Sequence, residues 1–361
     1  MKVTLEELGW NVHWAGLFAP YRAEGYDAGR ISLEQKQLYA VWTARHGEIP
    51  AMLTGKYYYE ADERGDLPTV GDWAVIRIHE EAAPKVTIHG LLPRRSKFSR
   101  QAAGTRGGEQ LLAANVDTVL LVMGLDGNYN LRRIERYVTV ALESGAEPVV
   151  LLTKADLCDE VEERVREVGS SAPGVPVHAL SVQAGQGLEE LEQYLQPGRT
   201  LALLGSSGVG KSTLLNHLLG EDAQRVREVR SMDDHGRHTT THRELFMLPG
   251  GALIIDTPGM RELQLWHADE GLAGAFPEIN ALARQCRYDD CQHRQEPGCR
   301  VRAALEDGII DPARYENYRK MERELHYQAA REDARLREER ERRWKQIGKF
   351  QKELKKERKK R

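Results

Sequence analysis

The stretch Gly205-Ser206-Ser207-Gly208-Val209-Gly210-Lys211-Ser212-Thr213 has the spacing G-x-x-x-x-G-K-S/T. Glycines so spaced let successive backbone N–H groups turn inward around a phosphate. Lys211 can reach the β- and γ-phosphates, and the Ser212 hydroxyl can ligate Mg²⁺. The apolar run Leu201–Leu204 ahead of it reads as a strand, and Thr213-Leu214-Leu215-Asn216 opens a helix. Downstream, Ala252-Leu253-Ile254-Ile255-Asp256-Thr257-Pro258-Gly259 reads as a buried strand ending in Asp-x-x-Gly. Asp256 there is placed to hold Mg²⁺ through water, and the Gly259 N–H to sense a γ-phosphate. Between the two lies Gly236-Arg237-His238-Thr239-Thr240-Thr241. A threonine in such a loop, taken as Thr240, completes the Mg²⁺ shell of a bound triphosphate and makes the loop a switch. Met260 stands where Ras-like enzymes place the glutamine that orients the attacking water, so His238 is the candidate for that task.

A base-selecting motif lies upstream. Thr153-Lys154-Ala155-Asp156 follows the apolar run Val149–Leu152 and matches Asn-Lys-x-Asp with threonine in place of asparagine. The carboxylate of such an aspartate accepts two hydrogen bonds from guanine N1 and N2, a donor pair adenine lacks. Lys154 can pack its stem along the base. Ser181-Val182-Gln183-Ala184, after Val175–Leu180, resembles the second base-contact loop. In ordinary GTPases the phosphate loop precedes both base loops. Here the sheet strands run four, five, six, then one, two, three, with the old ends joined near Gln196–Arg199. A circular permutation explains every motif, and it is feasible because chain ends usually lie on the surface and often close together.

Cys286, Cys291, His293 and Cys299 offer three thiolates and one imidazole within fourteen residues. Four such donors suit one tetrahedral, structural Zn²⁺. Cys158 stands apart and reads as a small packing residue.

The elements that must position these groups follow from patterning. Composition is 40% hydrophobic and 30% charged over 361 residues, which fits several soluble domains. No apolar run approaches the ~20 residues of a membrane span. From residue 37 to 92 short alternating runs with turns, Val70-Gly71-Asp72-Trp73 among them, suit a small OB-type barrel, with Ala51–Tyr59 as one strand. Pro93–Arg100 is basic with one aromatic, Phe98, and reads as a linker able to contact RNA phosphates and stack a base. From Asn115 strands alternate with helices. Asn130–Ser144 has Ile134, Val138, Ala141 and Leu142 on one face, and Asp159–Val168 and Leu188–Leu195 also read as helices. A charged helix starts near Pro312. From Arg314 to Arg361 there are 19 Lys/Arg and 10 Asp/Glu, a net of +9 on a chain whose total is −3. A basic tail on an acidic body suggests an anionic partner.

Taken in this order, the motifs resemble the RsgA (YjeQ/YloQ) family of circularly permuted GTPases that depend on the small ribosomal subunit. The resemblance implies a multidomain chain: a β-barrel OB-fold, an α/β circularly permuted P-loop GTPase domain, then a small α-helical zinc-binding domain. The expected boundaries are an N-terminal extension (1–36), the barrel (37–92), the basic linker (93–114), the GTPase domain (115–265), the zinc domain (266–318) and the basic tail (319–361). GTP with Mg²⁺ is the expected substrate, with small-subunit rRNA as partner and a cytoplasmic monomer as the working form. The alternative is an RNA-binding assembly scaffold whose P-loop domain binds nucleotide and hydrolyses it weakly.

Overall fold

The computed structural model describes residues 3–35, 38–61, 64–80, 84–101, 109–220, 243–256, 265 and 268–330. Five strands close into a barrel: β1 (Asp27–Gln35), β2 (Leu38–Thr43), β3 (Gly47–Leu53), β4 (Trp73–His79) and β5 (Lys85–Leu91). β1 pairs with both β2 and β4, β2 with β3, β3 with β5 and β5 with β4, so every barrel strand has two neighbours. Ile31, Val41, Ile49, Ile76, Val86 and Ile88 fill the interior. At Gly29 the strands come so close that a β-carbon would sit 2.4 Å from Val41 Cγ1.

Two expectations for this region are corrected. The barrel begins within the supposed extension, because β1 spans residues 27–35. Its residues 28–32 are buried on both faces, Arg30 and Ser32 included, so the alternation that marks a half-buried strand is missing. The run Ala51–Tyr59 is not one strand. β3 stops at Leu53 and Thr54 caps a short helix α2 (Gly55–Glu60), its hydroxyl accepting from Tyr57 N. A threonine followed by glycine breaks the strand where the cap is worth more than pairing.

The N-terminal residues pack onto the barrel. α1 (Val12–Ala23) is capped by Asn11, whose side chain accepts from His13 and Trp14 N–H. Trp10 meets Trp73 edge-on at 4.8 Å between ring centroids and Phe18 at 5.8 Å. Arg30 sits 2% exposed beneath them. Its guanidinium donates to Gly71 O, Leu8 O, Asn115 O and Thr200 Oγ1 and lies over Trp73. It thereby ties the N-terminal residues, the barrel and the nucleotide domain together. Burial pulls this guanidinium down to about 10, against the pull of Asp117 and Asp72, so it stays charged at neutral pH. Arg30→Ala would strand these acceptors in the interior. It is expected to cost about 3 kcal/mol or more of stability, read as a lowered midpoint in urea.

The supposed basic linker is also corrected. Residues 97–101 and 109–114 form a hairpin, β6 (Lys97–Gln101) and β7 (Glu109–Ala114). Phe98 is 1% exposed and belongs to the core, so it is not free to stack a base. Arg94 grips the buried Asp72 with two bonds of 2.8 Å and also donates to Gly65 O and Leu67 O. Lys97 pairs with Glu109 at 2.8 Å. Arg94, Arg95 and Lys97 have tertiary carboxylate partners that linear sequence does not reveal.

Among the described residues the nucleotide domain has six sheet strands: β8 (Thr118–Gly124), β9 (Glu147–Thr153), β10 (Val177–Ala179), β11 (Thr200–Leu204), β12 (Arg243–Met247) and β13 (Leu253–Asp256). The spatial order is β10-β9-β8-β11-β13-β12, parallel except that β12 runs antiparallel to β13. β8 is buried at every position, as expected of a central strand covered on both faces. α3 (Leu131–Ser144) has Asn130 as N-cap and left-handed Gly145 at its end, and buries Ile134, Val138 and Ala141. α4 (Val161–Ser171) follows β9. The segment 188–195, expected as a helix, holds only the 3₁₀ turn Glu189–Leu191. α5 (211–220) follows the phosphate loop.

β12 also pairs with barrel strand β1, Leu33 opposite Glu244 and Glu34 opposite Arg243, so one sheet of eleven strands runs through both domains. Beyond it come α6 (Asp269–Ala275), α7 (Pro277–Ala283), α8 (Arg300–Glu306) and α9 (312–330). α6 lies hard against α3, where a β-carbon on Gly271 would fall 2.2 Å from Thr139 O. Among the described residues no helix is long and apolar enough to cross a membrane.

Candidate nucleotide site and metal cluster

The five parallel strands of the nucleotide domain end at the same sheet edge, and four of them deliver a candidate group there. β11 ends in Gly205–Thr213, β9 in Thr153–Asp156, β10 in Ser181 and β13 in Asp256. The carboxyl edge of an open α/β sheet is where such folds bind ligands.

The phosphate loop is shaped by backbone demands. Gly205 passes so near Val122 that a β-carbon would sit 2.4 Å from its carbonyl oxygen, and Gly208 and Gly210 adopt φ of +79° and +92°. Val209 is buried, while Ser207 and Gly208 are exposed. Lys211 Nζ folds back to donate to Gly205 O at 2.6 Å and to Ser206 O. Ser212 and Thr213 are exposed in the first turn of α5. Ala202 lies opposite Ile255, so the half-buried Asp256 emerges beside the strand that leads into the loop.

The base motif is fastened to that loop. Thr153, 3% exposed, donates its hydroxyl to Val209 O at 2.6 Å, with Met123 O at 3.3 Å. The threonine that replaces asparagine therefore still ties the motif to the phosphate loop. Lys154 adopts φ +59° and sends Nζ to Gly208 O at 2.8 Å and to Asp126 Oδ2 at 2.6 Å. Ala155 N–H donates to Leu180 O, which joins the two base loops. Asp156 is exposed in the 3₁₀ turn Ala155–Leu157 and takes no hydrogen bond from the described residues. Ser181 is 1% exposed, and its hydroxyl accepts from Ala184 N–H.

Two residues here carry no motif. Asp126 follows β8, and bonds from Lys154 and Asn128 hold its carboxyl below the usual range. Arg133 on α3 donates to Ser206 Oγ at 3.2 Å and Asn128 O at 3.5 Å. A polar residue just past the carboxyl end of a central strand is the signal that could have found Asp126. His238, Thr240 and the rest of 236–241 lie outside the described residues, as do Thr257–Gly259 and Met260.

At the other end of the chain Cys286, Cys291, His293 and Cys299 bring their donor atoms within 4.8 Å of one another and so could hold a metal ion. His293 Nδ1 lies 3.6 Å from Cys286 Sγ, 3.5 Å from Cys291 Sγ and 3.4 Å from Cys299 Sγ. Left-handed φ at His293 and Gly298 turns the knuckle. The Glu296 carboxylate accepts from Gln292, Arg294 and Gln295 N–H and braces it. Cys158 is half-buried against the core and far from this cluster in sequence, as expected of a packing residue.

A phosphate loop, a base loop docked on it from upstream in the chain and this strand order define a circularly permuted P-loop GTPase fold joined to an OB-like barrel and a Cys₃His cluster. Comparison with known proteins agrees. The family model described as RsgA GTPase matches residues 91–266. The small ribosomal subunit biogenesis GTPase RsgA of Opitutus terrae is 49% identical over 96% of both chains. That of Syntrophotalea carbinolica is 46% identical over 90% of both. Among solved structures, YjeQ from Thermotoga maritima superposes with a TM-score of 0.62 at 30% identity, over 83% of this chain and 98% of that one. YloQ, described as a circularly permuted GTPase, shares the fold with a TM-score of 0.60 at 23% identity, over 83% of this chain and 95% of its own. The chain belongs to the RsgA GTPase family.

Proposed function

We propose that this chain hydrolyses GTP to GDP and phosphate while it assists late maturation of the small ribosomal subunit, as a soluble cytoplasmic monomer. The observation that carries the reading is the Thr153–Asp156 loop seated on the phosphate loop through Thr153 and Lys154. A guanine-selecting carboxylate and a triphosphate cradle thereby share one edge. The relatives' name, small ribosomal subunit biogenesis GTPase, supports the partner.

In this reading Gly205–Thr213 cradles the phosphates, Lys211 neutralises the β- and γ-oxygens, and Ser212, Thr240 and Asp256 serve Mg²⁺, which would spread the developing charge. Thr153, Lys154, Ala155, Asp156 and Ser181 form the base site. The Cys₃His donors fit Zn²⁺. Tetrahedral bonds of about 2.3 Å to sulfur and about 2.0–2.1 Å to nitrogen put a thiolate and an imidazole nitrogen ~3.6 Å apart. The observed Sγ to Nδ1 distances of 3.4–3.6 Å match that arrangement.

Because Met260 cannot orient water as a glutamine does, the isolated chain is expected to turn over slowly. Small subunits should stimulate it, and His238→Ala should lose most of that stimulation while keeping GTP affinity. Phosphate release measured with and without purified small subunits tests this. Equal rates in both would remove the ribosomal assignment, and full stimulation in the variant would remove His238.

A further inference from the structure

α3 stands between the nucleotide edge and the C-terminal helix, and its first turns touch both. Toward α9, Arg136 grips Glu324 with two bonds, of 2.8 and 2.5 Å. Arg132 reaches Asp311 at 2.9 Å, and the buried Glu135 accepts from Arg314 at 3.1 Å and from Asn317 at 2.5 Å. Arg314 is itself fixed by Glu278, Ala275 O and Ser171 O. Toward the nucleotide edge, Arg133 reaches Ser206 Oγ and Asn128 O. Asn128 N–H donates to Asp126 Oδ1, and Asp126 Oδ2 takes Lys154 Nζ, which also reaches Gly208 O. Hydrogen bonds thus run from α9 through α3 to both the second residue of the phosphate loop and the base-site lysine.

We propose that Arg133 is a positioning residue for nucleotide binding, holding Ser206 and the Asp126–Asn128 turn in register, and that the grip of α9 on α3 sets where Arg133 stands. The proposal rests on the GTP reading above. Arg133 suits the task because its Nη1 carries two N–H groups in fixed directions, so one nitrogen bridges a loop hydroxyl and a turn carbonyl. Four residues, Arg132 to Arg136 without the core-facing Ile134, carry every contact just described from α3. A small shift of α9 therefore moves the anchor of the phosphate loop. A load on the C-terminal helix is then felt as a change in how firmly nucleotide is held.

The test uses the full chain and a fluorescent GDP analogue, with release rate and affinity measured for each variant and thermal midpoints recorded alongside. Arg133→Ala is expected to speed release about 5–20-fold, and Ser206→Ala about 3-fold with no further loss when the two are combined. Arg133→Lys should recover part of the difference, because its ammonium ends one bond short of the Nη1 that reaches both Ser206 and Asn128. Arg136→Ala, which touches only the α9 side, should speed release about 2–5-fold and do nothing more in the Arg133→Ala background. A release rate within twofold of the parent for Arg133→Ala and Arg133→Lys overturns the positioning role. An Arg136→Ala effect that persists undiminished in the Arg133→Ala background, or no effect at all, overturns the link to α9. If the parent chain binds no guanine nucleotide, the GTP reading fails, and this inference fails with it.

Discussion

Asp156→Asn is expected to weaken GTP binding by roughly 10²-fold or more and to raise affinity for xanthosine triphosphate, so that the base preference inverts. A carboxylate in this place accepts from guanine N1–H and from the exocyclic amino group. Hydrogen bonds to a charged group are each worth about 1.5–3 kcal/mol, and the amide that replaces it meets the amino group donor to donor. Xanthine carries a carbonyl at that position, to which the amide can donate. The geometry isolates the effect. Asp156 is exposed and takes no hydrogen bond from the described residues, so the substitution disturbs no fold contact. Thr153 and Lys154, which hold the motif on the phosphate loop, are untouched. Competition between GTP and xanthosine triphosphate for a fluorescent nucleotide reads the preference. Unchanged GTP affinity in the variant would take Asp156 out of the site.

The motifs were legible because their chemistry is contiguous. Gly205–Thr213 contains its glycines, lysine and serine within one loop, and no tertiary knowledge is needed to see a phosphate cradle. The permutation was legible for a related reason: strands such as Val119–Val122 and Leu201–Leu204 are buried on both faces and read as unbroken apolar runs, so their order could be counted. β1 was missed because its burial comes from tertiary packing. Arg30 occupies a core position by bonding to acceptors near residues 8, 71, 115 and 200, which no local window contains. Arg94 and Phe98 were misread for the same cause. Charge in sequence looks solvent-facing until its partner, here Asp72, is brought beside it. Asp126 and Arg133 belong to no motif and became visible only when α3 and the loop after β8 were seen against the phosphate loop.

Removing a donor from the Cys₃His cluster is the second large perturbation, and Cys291→Ala is the cleaner way to do it. Cys299 is buried and also caps α8, its sulfur accepting from Arg302 N–H at 3.4 Å, so replacing it would confuse metal loss with helix loss. Cys291 is half-buried and contributes a donor atom to the cluster without a capping role. A structural Zn²⁺ site contributes on the order of 10 kcal/mol to the folding of the segment that binds it. The knuckle between Cys286 and Cys299 is a short loop with exposed residues such as Asp289 and Arg294 and little apolar burial to replace that contribution. Elemental analysis should give about one zinc per parent chain and almost none in the variant, and limited proteolysis should open the variant between residues 286 and 299. GDP affinity should stay within about twofold. The anchors of Arg314 on Glu135, Glu278, Ala275 and Ser171, and of Glu324 on Arg136, all lie outside the knuckle and keep α9 on α3. Parent protein that purifies without zinc would exclude a structural metal. Loss of GDP binding alongside zinc in the variant would show that the knuckle, and not the helix clamp, supports the nucleotide edge.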